Sequence, residues 1–100
     1  MGVKIGGGKM RKKFLGKKKI GERSWIHYYV TRRKRNVYGI LIFSSREEDG
    51  ENIVEWEWVD GLTKSREEAE KIGLQCEKYL VTPINIAESL DEIMQKKEFF

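Results

Sequence analysis

Residues 24–44, SWIHYYVTRRKRNVYGILIFS, decide the fold of this chain. Its two ends, residues 24–31 and 37–44, are rich in aromatic and β-branched side chains, which suit the pleated surface of a sheet. The short polar segment between them makes a β-hairpin the simplest connection. Gly39, inside the second run, marks a bulge or the close approach of another backbone. This stretch therefore predicts two antiparallel strands.

A third strand is predicted at residues 53–59 (IVEWEWV). Trp56 and Trp58 alternate there with Glu55 and Glu57. Since side chains in a strand point alternately to opposite faces, the tryptophans share one face and the glutamates share the other. The segment therefore predicts a strand with one buried and one solvated face.

The first helix is predicted from its cap. Ser65-x-x-Glu68 is a capping-box signature, which satisfies free amides at a helix start. The apolar residues that follow recur at helical spacing and form one stripe: Ala69, Ile72, Gly73, Cys76, Tyr79 and Leu80. Because the residue before a proline disfavours helical geometry, Pro83 should end this helix at Val81 or Thr82.

A second helix is predicted after Asn85-x-x-Glu88, which resembles another cap. Its apolar face consists of Ile86, Leu90, Ile93 and Met94. The order of elements predicts an α+β fold: a three-stranded antiparallel meander followed by two helices packed on one face (β-β-β-α-α). We expect Trp56 and Trp58 to face these helices and to belong to the core.

Charge is divided sharply along the chain. Residues 1–35 hold thirteen Lys/Arg and one acid, whereas residues 36–100 hold seven Lys/Arg and fifteen acids. Glycines and like charges disfavour ordering at the start. We therefore predict a flexible basic arm at residues 1–23 and a single α+β domain at residues 24–98. Three roles fit the arm: contact with nucleic acid or another anionic surface, packing on the protein's own acidic body, or a solvated leader.

Several features favour a cytoplasmic protein without a membrane partner. No segment approaches the roughly 20 apolar residues that a membrane-spanning helix needs. The basic start lacks the apolar stretch of a secretory signal. The single cysteine, Cys76, cannot form an internal disulfide, which suits a reducing compartment.

The residues give no pattern typical of an enzyme. His27 is the only histidine, so a histidine pair for catalysis or metal binding is missing, and we interpret it as a solvated or edge side chain. Cys76 lies on the apolar stripe, which predicts a buried and unreactive thiol. Glu55 and Glu57 are interpreted as a solvated face. We expect no catalytic residue, no metal and no cofactor.

The tip of the predicted hairpin is the strongest candidate for a contact surface. Its residues are Arg32, Arg33, Lys34 and Arg35, with Tyr29 and Tyr38 beside them. Basic groups interleaved with aromatic rings bind phosphates and stack bases. Charged residues are also common at hairpin tips, where they protect exposed edges. No helix-turn-helix, zinc-finger or RNA-recognition signature accompanies the tip.

Short motifs across the chain carry a family resemblance. They are Tyr28-Tyr29, Tyr38-Gly39-Ile40, the acidic third strand, and residues 81–86 (VTPINI) leading into residues 90–93 (LDEI). On these features, residues 28–94 resemble a family of short, uncharacterised bacterial proteins, a domain-of-unknown-function family found mainly in anaerobic spore-formers. The basic arm and the arginine-rich tip lie outside that pattern. The resemblance implies a fold and no catalytic residues.

These observations favour a small, non-catalytic interaction or regulatory module, whose partner is an unknown protein or a second copy of the chain. Eleven aromatic residues, three of them tryptophans, are more than such a small core easily hides. The alternative is a nucleic-acid-binding accessory protein that uses the basic arm and residues 32–35.

Overall fold

The hairpin predicted from residues 24–44 forms the centre of a four-stranded antiparallel sheet. The computed structural model describes residues 10–95, and the predictions for residues 1–9 and 96–98 lie outside them. The elements are β1 (Arg11–Gly21), β2 (Ser24–Lys34), β3 (Val37–Glu48), β4 (Glu51–Thr63), α1 (Arg66–Lys78) and α2 (Ile86–Gln95). The strands pair in the order β1-β2-β3-β4. The α+β class is confirmed, whereas the predicted count of three strands is wrong.

The additional strand, β1, lies in the segment predicted as a flexible arm. It pairs with β2 along its length. Leu15 packs against the core, while nine of the eleven residues are exposed. Charged side chains on an outer strand prevent edge-to-edge association, and here they hide the alternation by which strands are recognised. The arm prediction is therefore wrong for residues 11–21.

Turns of two residues join the strands, at residues 22–23, 35–36 and 49–50. In the last of them, Asp49 and Gly50 have φ values of 52° and 80°. Positive φ at both positions is typical of the type I′ turn, whose twist matches that of the flanking strands. Such short turns place each strand beside its neighbour in sequence and produce the meander.

Gly39 allows β4 to approach β3 closely. A Cβ atom at this position would overlap the carbonyl oxygen of Val59 and would lie 2.8 Å from the Cα atom of Asp60. The register between the two strands shifts at the same place, between Tyr38 and Ile40. The close backbone approach predicted at Gly39 is confirmed.

The helices cover one side of the sheet, which we call the helix face. Its buried side chains come from β2 and β3: Ile26, Tyr28, Val30, Ile40 and Ile42. They share one core with buried residues of the helices: Ala69, Ile72, Cys76, Ile86, Leu90 and Ile93. The Tyr28 hydroxyl donates a hydrogen bond of 2.8 Å to the carbonyl oxygen of Val81. The polar tip of this buried ring is therefore satisfied.

α1 begins at the predicted cap. The backbone N–H of Glu68 donates to Oγ of Ser65 over 3.2 Å. The buried residues of α1 are those of the predicted stripe up to its last turn: Ala69, Ile72, Gly73 and Cys76. Both the cap and this part of the stripe are confirmed.

The same helix ends earlier than Pro83 alone predicts. Leu80 has a φ of 54°. Its N–H donates to the carbonyl of Glu77, and the next N–H donates to the carbonyl of Cys76. These two bonds form a Schellman motif, which terminates the helix. Tyr79 and Leu80 are consequently exposed, so their placement on the apolar stripe is wrong.

α2 buries the side predicted for it. Its buried residues are Ile86, Leu90 and Ile93, and Met94 packs partly against the same core. The Asn85 side chain accepts a hydrogen bond of 2.8 Å from the backbone N–H of Thr82, so it does not act as the predicted cap towards Glu88. Within residues 10–95, neither helix is long and apolar enough to cross a membrane.

Candidate functional site

The side of the sheet opposite the helices carries the candidate site, and we call it the open face. Strand alternation places a set of aromatic and apolar side chains on it: Phe14, Trp25, His27, Tyr29, Leu41, Phe43, Val54, Trp56 and Trp58. All of them are at least partly exposed, and Phe14 is 51 % exposed. A contiguous apolar surface of this kind is unusual on a monomeric protein unless it contacts something.

Trp56 and Trp58 lie on the open face, so the prediction that they face the helices is wrong. The alternation itself is confirmed, since Glu57 pairs with the buried Ile42 while Trp58 pairs with Leu41. The aliphatic residues of β2 and β3 face the helices, and the tight turn before β4 sets its register against β3. That register directs the tryptophans away from the core.

The rings of the open face contact one another across neighbouring strands. The ring centroid of Phe14 lies 5.5 Å from that of Tyr29 and 6.2 Å from that of His27. The His27 centroid is in turn 5.9 Å from that of Phe43. Tilted and edge-on rings at these distances attract one another. The rings therefore form a connected strip across β1, β2 and β3.

A hydrogen bond orients the indole ring of Trp58. Its Nε1 donates to Oγ1 of Thr31 across 2.9 Å. Thr31 is fully buried, so the bond satisfies a hydroxyl in the sheet interior. The ring consequently has little freedom to turn.

Lysines of β1 border the aromatic strip. Nζ of Lys17 lies 4.6 Å, and Nζ of Lys19 lies 5.6 Å, from the ring centroid of Trp25. Nζ of Lys12 lies 5.1 Å from that of Tyr29. An ammonium group within about 6 Å of a ring centroid is attracted to the ring face. This border of the open face therefore combines ring surface with positive charge.

Carboxylates at the ends of the open face are paired with arginines. Glu47 forms an ion pair with Arg23, and Asp60 forms one with Arg33. Neither pair carries excess charge. The β1 lysines therefore give the open face a net positive charge.

The residues predicted as one contact surface are divided between two faces. Tyr29 lies on the open face, whereas Tyr38 packs partly against the core on the helix face. Arg33 is paired with Asp60. The structure thus separates the two tyrosines that the sequence grouped with the hairpin tip.

The remaining basic residues of the tip meet the start of β1. Arg11 lies directly opposite Arg32 in the strand register. Together with Lys34 and Arg35 they line an open cavity of about 190 Å³, which Arg33 also borders. We call Arg11, Arg32, Lys34 and Arg35 the basic corner.

His27 lies on an inner strand of the sheet, so its interpretation as an edge side chain is wrong, while its interpretation as a solvated side chain holds only in part. β2 has a neighbouring strand on each side, and the residue is only partly exposed. Its Nδ1 atom is buried and has no hydrogen-bond partner among residues 10–95. A buried polar atom without a partner lowers the stability of the fold.

Cys76 is buried in the core, as predicted. Burial raises the pKa of its thiol to about 12. The thiol is therefore protonated at neutral pH, and a protonated thiol is a poor nucleophile. The part of the chain between residues 10 and 95 holds no group of three or more His, Cys, Asp and Glu side chains that could bind a metal ion.

The fold and site define an α+β domain with one covered and one open sheet face. Residues 11–96 match the model of the Family of unknown function (DUF6514), and the chain belongs to that family. No curated protein and no solved structure matches the chain. The resemblance to a domain-of-unknown-function family is confirmed. The match also includes β1 and the basic tip, which the sequence placed outside the family pattern.

Sequence reasoning missed the contribution of β1 to the site. Lys12 and Phe14 occupy alternate positions, as do Lys17 and Lys19, and this period of two was the available signal. A register shift between Phe14 and Gly16 interrupts the alternation. The high lysine content then made the segment resemble a disordered arm.

Proposed function

We propose that this protein is a small, non-catalytic binding module, and that its open face binds single-stranded nucleic acid. The observation that carries the proposal is a partly exposed aromatic sheet face bordered by lysines. Aromatic rings offer stacking surfaces for bases, while lysines attract the phosphates between those bases. In a duplex the flat faces of the bases are already stacked on each other, so this surface suits a single strand.

The charge of the open face favours nucleic acid over a second copy of the chain. In a symmetric dimer the open face of one copy would cover that of the other. The β1 lysines would then lose water without gaining free carboxylates as partners, because Glu47 and Asp60 are already paired with arginines. A polyanion instead meets Lys12, Lys17 and Lys19 with complementary charge. Binding of an unknown protein and self-association are the alternatives that the binding experiment below must distinguish from nucleic-acid binding.

The non-catalytic part of the proposal rests on two side chains. Cys76 has a raised pKa and lies in the core rather than on the open face. His27 has no second histidine in the chain with which to form a catalytic pair. We expect the protein to act in the cytoplasm, where its single cysteine stays reduced.

Tryptophan fluorescence tests the proposal directly. Oligonucleotides of about 12 nucleotides, single-stranded or duplex, would be titrated into the protein at several salt concentrations. We expect single strands to quench the fluorescence and to bind more tightly than the duplex. If three lysines each neutralise one phosphate, log affinity falls with log salt at a slope of about −2.

Matched variants assign the binding to the open face. Phe14→Leu and Trp56→Leu should each weaken binding at least about fivefold, since stacking contributes strongly for each base. Tyr79→Leu is the control, because Tyr79 is an exposed aromatic residue, 63 % accessible, at the end of α1. Lys17→Gln and Lys78→Gln form a second pair, since Lys78 also lies over a ring, that of Tyr79, at 5.5 Å.

Three results would overturn the proposal. The first is the absence of binding at about 50 mM salt, where nonspecific attraction is strong. The second is equal affinity for duplex and single strands. The third is a dimer, seen by light scattering, that Trp56→Leu dissociates.

A further inference from the structure

The basic corner is a concentration of positive charge. Every residue that lines its cavity of about 190 Å³ is an arginine or a lysine. The neighbouring carboxylates are already paired with other residues: Asp60 with Arg33, which borders the cavity, and Glu70 with Lys13 and Arg66. Elsewhere in the described part of the chain, Arg23 and Arg46 form ion pairs with glutamates.

This arrangement is unfavourable without an anion. Arg11 and Arg32 are directly opposite one another in an antiparallel pair, and like charges at such positions destabilise the pairing. The guanidinium group presents a planar fork of N–H donors that fits two oxygens of a phosphate. Arg11, Arg32, Lys34 and Arg35 are all exposed, so a phosphate reaches them without displacing the core.

The basic corner lies around the outer edge of the sheet from the open face. Arg32 pairs with Arg11 on one side and with Tyr38 on the other, so both arginines lie on the helix side of the sheet. A second cavity of about 160 Å³ shares both arginines with the corner; it extends towards Tyr38 and Glu70 and is also lined by Lys12. Lys12 in turn lies over the Tyr29 ring on the open face. A strand whose bases stack on the aromatic strip would therefore reach the corner by passing around the edge of β1 at Lys12.

We propose that the basic corner is a phosphate-binding subsite, which holds one phosphate of the strand bound on the open face. This inference rests on the proposed function. The phosphate belongs either to the backbone or to a strand end, and the chemistry of recognition is the same for both. A terminal phosphate carries close to two negative charges at neutral pH, against one for a backbone phosphate, so several cations favour it.

The test compares end groups and charge variants. One single-stranded sequence would be prepared with hydroxyl ends, with a 5′-phosphate and with a 3′-phosphate. Each would be titrated into the wild-type protein, the corner variant Arg11→Gln/Arg32→Gln, and a control variant, Lys18→Gln/Lys64→Gln. The control removes the same charge from exposed positions outside the corner. Circular dichroism would establish that each variant is folded.

We expect the corner variant to lose about tenfold in affinity and the control to lose less than about threefold. The salt slope of the corner variant should be reduced by about 0.7, as expected for the loss of one phosphate contact. If one end phosphate raises wild-type affinity several-fold and the corner variant abolishes that gain, the subsite holds a terminal phosphate. If all three oligonucleotides bind equally and the corner variant weakens them equally, it holds a backbone phosphate.

Failure of the subsite and failure of the proposed function give different results. If Trp56→Leu weakens binding while the corner variant behaves like the control, the open face binds the strand but the basic corner is not a phosphate subsite. If the corner variant abolishes binding while Trp56→Leu has no effect, the basic corner binds phosphate but the open face does not bind the strand. If no oligonucleotide binds the wild-type protein, both the proposed function and the proposed subsite are wrong.

Discussion

One strand, β2, presents two chemically different surfaces. On the helix face, Ile26 and Val30 are at most 4 % exposed and pack in the core with Tyr28. On the open face, Trp25 and Tyr29 remain partly exposed and lie beneath lysines. The covered side is mainly aliphatic, whereas the uncovered side is mainly aromatic.

The difference indicates what each surface is suited to do. Aliphatic side chains gain most from dense packing, which excludes water. Aromatic rings also interact with cations and with other flat rings while they are partly solvated. Large aromatic side chains left in contact with water contribute less to stability than buried ones. Their presence on the open face is what the proposed binding function leads us to expect.

The largest difference between the faces is expected for adjacent residues of β3. Ile40 is 0 % exposed on the helix face, and Ile40→Ala should cost about 3 kcal/mol through lost burial and a cavity. Leu41 is only partly buried on the open face, so Leu41→Ala should cost about 1 kcal/mol. Urea unfolding of both variants measures the difference. Equal losses would mean that the open face is as well packed as the core.

A smaller difference is expected between two neighbouring tyrosines. Tyr28→Phe removes the hydroxyl that donates to the buried carbonyl of Val81, and we expect a loss of about 1.5 kcal/mol. Tyr29→Phe changes a partly exposed ring and should cost less than about 0.5 kcal/mol. Thermal unfolding followed by circular dichroism would compare the two. A larger loss for Tyr29→Phe would mean that the open face contributes more to stability than the helix face, which contradicts the prediction.

Alkaline pH should destabilise the covered side through Cys76. Burial raises the pKa of its thiol from 9.0 to about 12. Because the unfolded chain releases this proton first, the folded state binds more protons above pH 9, and stability falls as pH rises towards 12. The slope approaches about 1.4 kcal/mol per pH unit for one proton. Unfolding midpoints at pH 8, 9 and 10 should fall less for Cys76→Ala, and parallel curves would contradict the burial effect.

Local patterns predicted much of the covered half of the molecule. The hairpin, the third strand and the Ser65 cap follow from side-chain type and spacing over a few residues. β1 could not be recognised in the same way, because its lysines and its register shift conceal the alternation. The end of α1 could not be predicted either, because Leu80 adopts a left-handed conformation after the helix, a position that glycine usually occupies.

The site was less predictable than the fold, because it depends on how elements dock. Alternation correctly grouped Trp56 and Trp58, but it does not tell which side of a sheet the helices cover. That choice is made by the aliphatic residues of β2 and β3. The basic corner was only partly predictable for the same reason. Arg32 was predicted as a contact residue from its local sequence, whereas Arg11 lies beside it only because β1 pairs with β2.

The smallest expected effect concerns the one histidine, at the centre of the open face. Nδ1 of His27 is buried without a partner among residues 10–95, and its ring lies between those of Phe14 and Phe43. His27→Phe keeps an aromatic ring there and removes the unsatisfied atom, so we expect stability to rise by about 0.5 kcal/mol. Amide hydrogen exchange of β2 at pH 8 would detect slower opening, with His27→Asn as the polar control. Faster opening in His27→Phe would mean that the imidazole makes a stabilising bond. A gain would instead show that the open face retains a polar group at a cost in stability, as expected of a surface suited to contact rather than packing.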